Sequence, residues 1–103
     1  MKAYVEAHKK ATGKAPDAWA SPVTYATYQI LEQAIEAVGS KDRKAVTAYI
    51  KRHTFKTVIG PVAYKNQNND HYWTVGQWQG GQFVGVASTG RAGEKPAVVK
   101  AGW

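Results

Sequence analysis

The longest amphipathic run in the chain lies between Pro16 and Gly39. From Thr27 onward Ile30, Leu31, Ala34, Ile35 and Val38 recur at helical spacing, with Gln29, Glu32, Gln33 and Glu36 between them. That spacing predicts one long helix with an apolar stripe to be covered and an exposed polar face. Ser21 is the expected N-cap, with Pro22 at the first helical position, where a missing N–H costs nothing. Gly39 stands where a left-handed residue ends a helix. Upstream, Tyr4, Val5, His8, Ala11 and Thr12 share one side of a shorter helix that Gly13 closes, and Pro16 bars its continuation. Downstream, Ser40 or Asp42 caps a third helix with Ala45, Val46, Tyr49, Ile50 and His53 inward.

At Thr54 the period changes. Phe55 to Ile59 is rich in β-formers, Gly60-Pro61 interrupts the run, and Val62 to Tyr64 resumes it. Asn66 to Asp70 has loop composition. The segments His71–Gln79 and Gln82–Ser88 flank Gly80-Gly81, a two-residue hairpin turn that sets Trp78 opposite Phe83 and Val75 opposite Val86. The Trp78–Phe83 pair anchors the register, worth about 0.5–1 kcal/mol beyond burial. Residues 91–103 read as a loosely held tail. The predicted fold class is α+β: three helices followed by three short strands in a small sheet, with an antiparallel C-terminal hairpin.

Composition adds that 103 residues make at most one domain, and that 44% hydrophobic and 12% aromatic residues suit a packed core. The absence of cysteine excludes a disulfide scaffold and a thiolate metal site. No run is apolar enough to span a bilayer, and the uncharged stretch from Ala18 to Leu31 reads as a buried or ligand-facing helix. No secretory leader opens the chain, so as written it is expected in the cytoplasm unless cut from a longer, exported parent. The net charge of +7 is read first as solvated lysine-rich faces. Nucleic-acid binding through Lys44, Lys51 and Arg52 is a third-ranked alternative, because the aromatics Tyr72, Trp73 and Trp78 lie on other elements.

No catalytic constellation is present: the chain is expected not to be an enzyme, and to need no cofactor or metal. His8, His53 and His71 lack ligand spacing, and Glu32 and Glu36 sit on an exposed helix face rather than in a cleft. Trp19 is the more suggestive residue. An aromatic just before a helix N-terminus sets an apolar wall beside free N–H groups, which suits a small amphiphilic anion such as an amino acid carboxylate.

The order Tyr4-Val5-Glu6-Ala7-His8, then Pro16-Asp17-Ala18-Trp19-Ala20, Tyr25 and the long helix to Gly39, closely resembles the C-terminal quarter of a known family. So do Ile59-Gly60-Pro61 and Gln77-Trp78-Gln79-Gly80-Gly81-Gln82-Phe83-Val84. The family is the branched-chain amino-acid-binding (Leu/Ile/Val-binding-like) proteins of bacterial ABC importers, type I periplasmic binding proteins. The resemblance implies a two-lobed α/β parent that closes on an amino acid or similar solute, docks on an ABC permease and works in the periplasm. It implies that residues 1–90 are the C-terminal portion of that domain. Trp19, Ser21 and Tyr25 would be ligand-binding in the complete protein, with Ile59, Gly60 and Pro61 its hinge segment. By itself the fragment is expected not to bind ligand. The alternative is a free-standing interaction module that self-associates, as a homo-oligomer or swapped dimer, through its strand edge and helix stripe.

Overall fold

The computed structural model describes residues 1–69, 74–88 and 92–99. The expectations for His71, Tyr72 and Trp73, and for both ends of the tail, lie outside those residues. The described chain runs α1 (Lys2–Thr12), α2 (Ala20–Val38), α3 (Arg43–Ile50), β1 (Thr54–Thr57), β2 (Gly60–Ala63), β3 (Thr74–Gln79) and β4 (Gln82–Ser88). Three helices precede the strands and the C-terminal hairpin is antiparallel, as the pattern predicts. The strands differ in number and pairing. Among the described residues there are four, in two two-stranded antiparallel sheets, β1–β2 and β3–β4. They belong to two compact units, residues 1–68 and 69–103.

In the first unit, the side of α2 that is buried carries Pro22, Ala26, Ile30 and Ala34 at four-residue intervals, one turn apart. Ile30 and Ala34 join Val46 of α3, Phe55 of β1 and Val62 of β2 in the core, flanked by Ile35, Tyr49, Ile50, Ile59 and Tyr64. Phe55 and Val62 are cross-strand partners, so one face of the hairpin supplies both. Leu31, placed on the stripe by periodicity, is exposed. The core is narrow, and a row one residue wide per turn covers it.

The polar residues Gln29 and Gln33 do not face solvent as expected. Gln33 accepts from the Lys56 N–H (3.3 Å) and donates to the Lys56 carbonyl (3.0 Å), and Gln29 accepts from the Val58 N–H (2.7 Å). Carboxamides carry both donor and acceptor, so they can stand in for a neighbouring strand.

Helix ends follow partly. Gly13 and Gly39 adopt φ of 74° and 69°, and each N–H returns to a carbonyl one turn back. Asp42 caps α3 by accepting from the Ala45 N–H at 2.8 Å, while Ser40 supports the Asp42 N–H. Ser21, however, is not the cap of α2. The helix begins two residues before the expected Pro22, at Ala20, and Asp17 takes the capping work. A carboxylate reaches several N–H groups at once, which one hydroxyl cannot. Pro22 still falls in the first turn, where its missing N–H has no partner to lose. His53 is not inward either: it is exposed, stacked on Tyr49 with 3.7 Å between ring centres.

The Gly60-Pro61 interruption proves to be strand. The turn falls at Val58-Ile59, and Pro61 pairs opposite Lys56. A two-stranded sheet has a free side on which proline's missing donor costs nothing. The Asn-rich loop also contains order: Lys65 and Asn68 exchange both backbone hydrogen bonds around Asn66 and Gln67, which hold φ of 50° and 64°. These are the positive dihedrals a type I′ turn requires.

In the second unit Gly80-Gly81 makes the expected tight turn, and Trp78 meets Phe83 edge-to-face at 5.5 Å. The register slips once, between Val75 and Gly76, so Val75 pairs with Ala87 rather than Val86. The Phe83 ring lies directly over Gly76, where an added Cβ would sit 2.2 Å from it. Gln77 brackets the Val98 peptide unit with two hydrogen bonds (2.6 and 2.9 Å), and Gln79 donates to the Pro96 carbonyl at 2.9 Å.

Candidate functional site

A concavity of the first unit lies between α1 and the N-terminal half of α2, with the end of β1 as its third side. It is an open groove of about 1020 Å³. From α1 come Tyr4, His8 and the small residues Ala3, Ala7 and Ala11, and from α2 come Ser21, Thr24, Tyr25 and Tyr28. Lys56, Thr57 and Val58 complete it. Alanines at four-residue intervals let the two helices present a trough between them, and tyrosines at its sides give it ring faces and hydroxyls.

Tyr4 and Tyr25 are tied together, with ring centres 5.0 Å apart. Behind them His8 is part of the α1 terminus: its Nδ1 lies 3.1 Å from the Lys14 carbonyl and 3.2 Å from the Thr12 hydroxyl, which itself donates to the His8 carbonyl. Thr57 donates to the Gly60 carbonyl at 2.6 Å and so fixes the turn through Ile59. The lining offers ring faces, hydroxyls and two basic side chains, His8 and Lys56. That suits holding a small solute with both apolar and polar parts.

At the head of α2, Asp17 accepts from the Ser21 hydroxyl and from the backbone N–H groups of Trp19, Ala20 and Ser21. The Ser21 hydroxyl first, then the Trp19 N–H, holds its carboxyl down to about 2. The N–H groups that the sequence presents as free for an external carboxylate are therefore occupied by an internal one.

Of the residues singled out in advance, Ser21 and Tyr25 both line the groove, one turn apart on α2. Trp19 lies outside its lining and is 62% exposed. Ile59, Gly60 and Pro61 form the β1–β2 turn and the start of β2, next to the groove-lining Thr57 and Val58. Sequence reasoning passed over Tyr4, Thr24 and Tyr28. The signal for the last two was the uncharged stretch Ala18–Leu31, in which hydroxyl-bearing residues recur at helical spacing. Among the described residues, no helix is long and apolar enough to cross a membrane.

A family model described as periplasmic binding protein matches residues 1–82, which takes in the whole first unit and the β3 strand. No curated protein and no solved structure matches the chain.

Proposed function

The chain belongs to the periplasmic binding protein family, and from that premise we propose that it is the C-terminal portion of a solute-binding component of an ABC importer for amino acids or related small solutes. In this reading Ser21 and Tyr25 face the solute in the complete protein, Trp19 stands beside them, and Ile59-Gly60-Pro61 serves as hinge segment. The complete protein works in the periplasm and delivers its solute to an ABC permease.

The observation that carries the reading is an open, tyrosine-lined groove within the family-matched region. A small-molecule site encloses most of its ligand, and one open trough supplies only part of such a wall. The chain therefore does not retain an amino acid by itself. Calorimetric titration with each of the common amino acids is expected to give no isotherm, and a micromolar one-to-one isotherm would overturn this point. Grafted in place of the corresponding segment of a branched-chain amino-acid-binding protein, the chain is expected to support leucine binding. Tyr25→Ala in that chimera weakens binding about tenfold or more. A folded chimera indifferent to Trp19, Ser21 and Tyr25 substitutions would remove them from the site.

A second reading, a self-associating module, is favoured by the exposed Tyr25, Tyr28 and Leu31 on α2 and by Trp78, 72% exposed, on the C-terminal hairpin.

A further inference from the structure

Four cations gather on α3 and the residues just after it. Arg43 and Lys44 stand in the first turn and Lys51 and Arg52 follow the last, with Thr47 and Ala48 between. All six are exposed and line a shallow hollow of about 490 Å³, with no carboxylate among its described lining residues. It shares no residue with the α1–α2 groove.

Lys51 and Arg52 stand at the end of α3 that favours cations, but Arg43 and Lys44 run against local electrostatics. A helix N-terminus carries partial positive charge and favours acidic side chains, yet the first turn of α3 contains none and adds two cations. Asp42 offsets one of them, with its carboxylate already bonded to the Ala45 N–H. Local choices that disagree with the fold's own preferences mark surfaces kept for a partner.

The geometry points to an acidic polypeptide segment of another protein as the partner of this face. Arg43 to Lys51 spans about 12 Å at 1.5 Å per residue of helix. An extended chain covers the same span with carboxylates about four residues apart, a spacing that also sets them on one face. The two arginines, at opposite corners, can each grip a carboxylate through two parallel N–H groups. Thr47 and Ala48 are small enough for a backbone to lie between. A bilayer surface fits less well, because this face has no large apolar side chain to insert. A nucleic acid strand would lack stacking surfaces here, since no aromatic lines the hollow. A second copy brings its own +7 charge.

Fluorescence anisotropy on the full chain tests this with three probes: a labelled decapeptide with glutamate at every fourth position, a labelled single-stranded DNA decamer, and phosphatidylcholine–phosphatidylglycerol vesicles. The peptide is expected to bind at about 20 mM salt and to weaken about tenfold or more by about 200 mM. Arg43→Glu with Arg52→Glu weakens it about tenfold or more, while Lys9→Glu with Lys10→Glu on α1 changes it by less than about twofold. Should the reversed pair lose helix by circular dichroism, Arg43→Gln with Arg52→Gln takes its place. No peptide binding at low salt, tighter binding of DNA or vesicles than of peptide, or equal losses in the two double variants would each overturn the proposal.

Discussion

At the scale of single residues, Asp17 and Gln67 carry more of the structure than their types announce. The Asp17 carboxyl is held at about 2 instead of 3.8, chiefly by the Ser21 hydroxyl. A depressed carboxyl stabilises the fold above its unfolded value and ceases to as pH falls through the folded one. Its contribution is thus complete above about pH 4 and fades toward pH 2, and salt weakens it because the group is exposed. Asp17→Asn is expected to lower the thermal midpoint by a few degrees at neutral pH. The gap from the native chain should close between pH 4 and pH 2, and melting curves separated equally at both ends would contradict the assignment. Gln67 holds φ of 64° without a glycine's freedom. Gln67→Gly is expected to raise stability by about 0.5–1 kcal/mol in urea unfolding, because it completes an Asn-Gly type I′ pair. The glycine ends at Gly13, Gly39 and Gly80-Gly81 were legible because only local backbone geometry decides them. The Asp17 cap was not, since Ser21, immediately before a proline, offers an equally good local signature and only the fold chooses.

At the scale of elements, helices α1 to α3 follow from apolar spacing, and what spacing could not say is which polar residues are spoken for. Gln29 and Gln33 read as solvent-facing until β1 is brought against α2. Their chemistry separates cleanly by substitution. Gln29→Glu keeps an acceptor for the Val58 N–H, whereas Gln33→Met removes both the acceptor for the Lys56 N–H and the donor to the Lys56 carbonyl. Amide exchange at Val58 should stay close to native in the first variant, and exchange at Lys56 should rise about fivefold or more in the second. Equal exchange in both would mean that the carboxamides are bystanders. The β3–β4 hairpin shows the same division. Trp78 against Phe83 was readable from the turn length, while the slip at Val75 was not, since one unpaired residue leaves no compositional trace.

At the scale of the whole chain, the core that the described residues bury is small: Ala26, Ile30, Ala34, Val46, Phe55 and Val62. Tyr25, Tyr28 and Leu31 remain outside it on α2, and Trp78 and Phe83 remain outside on the hairpin. Static light scattering after size exclusion is expected to give a mass above that of one chain, and Tyr28→Lys with Leu31→Lys to return it to the monomer value. A monomer throughout the micromolar range would count against the self-associating reading. The family was visible in the order of motifs, whereas the tyrosine-walled groove needed α1 and α2 to be brought together. The two glutamines of α2 carry one last implication. With the backbone of Lys56 and Val58 already engaged on one flank, the β1–β2 ribbon is a dead end in that direction. Any further strand, whether from a complementing polypeptide or an aggregating neighbour, is left only the β2 rim, where Pro61 offers a carbonyl and no N–H.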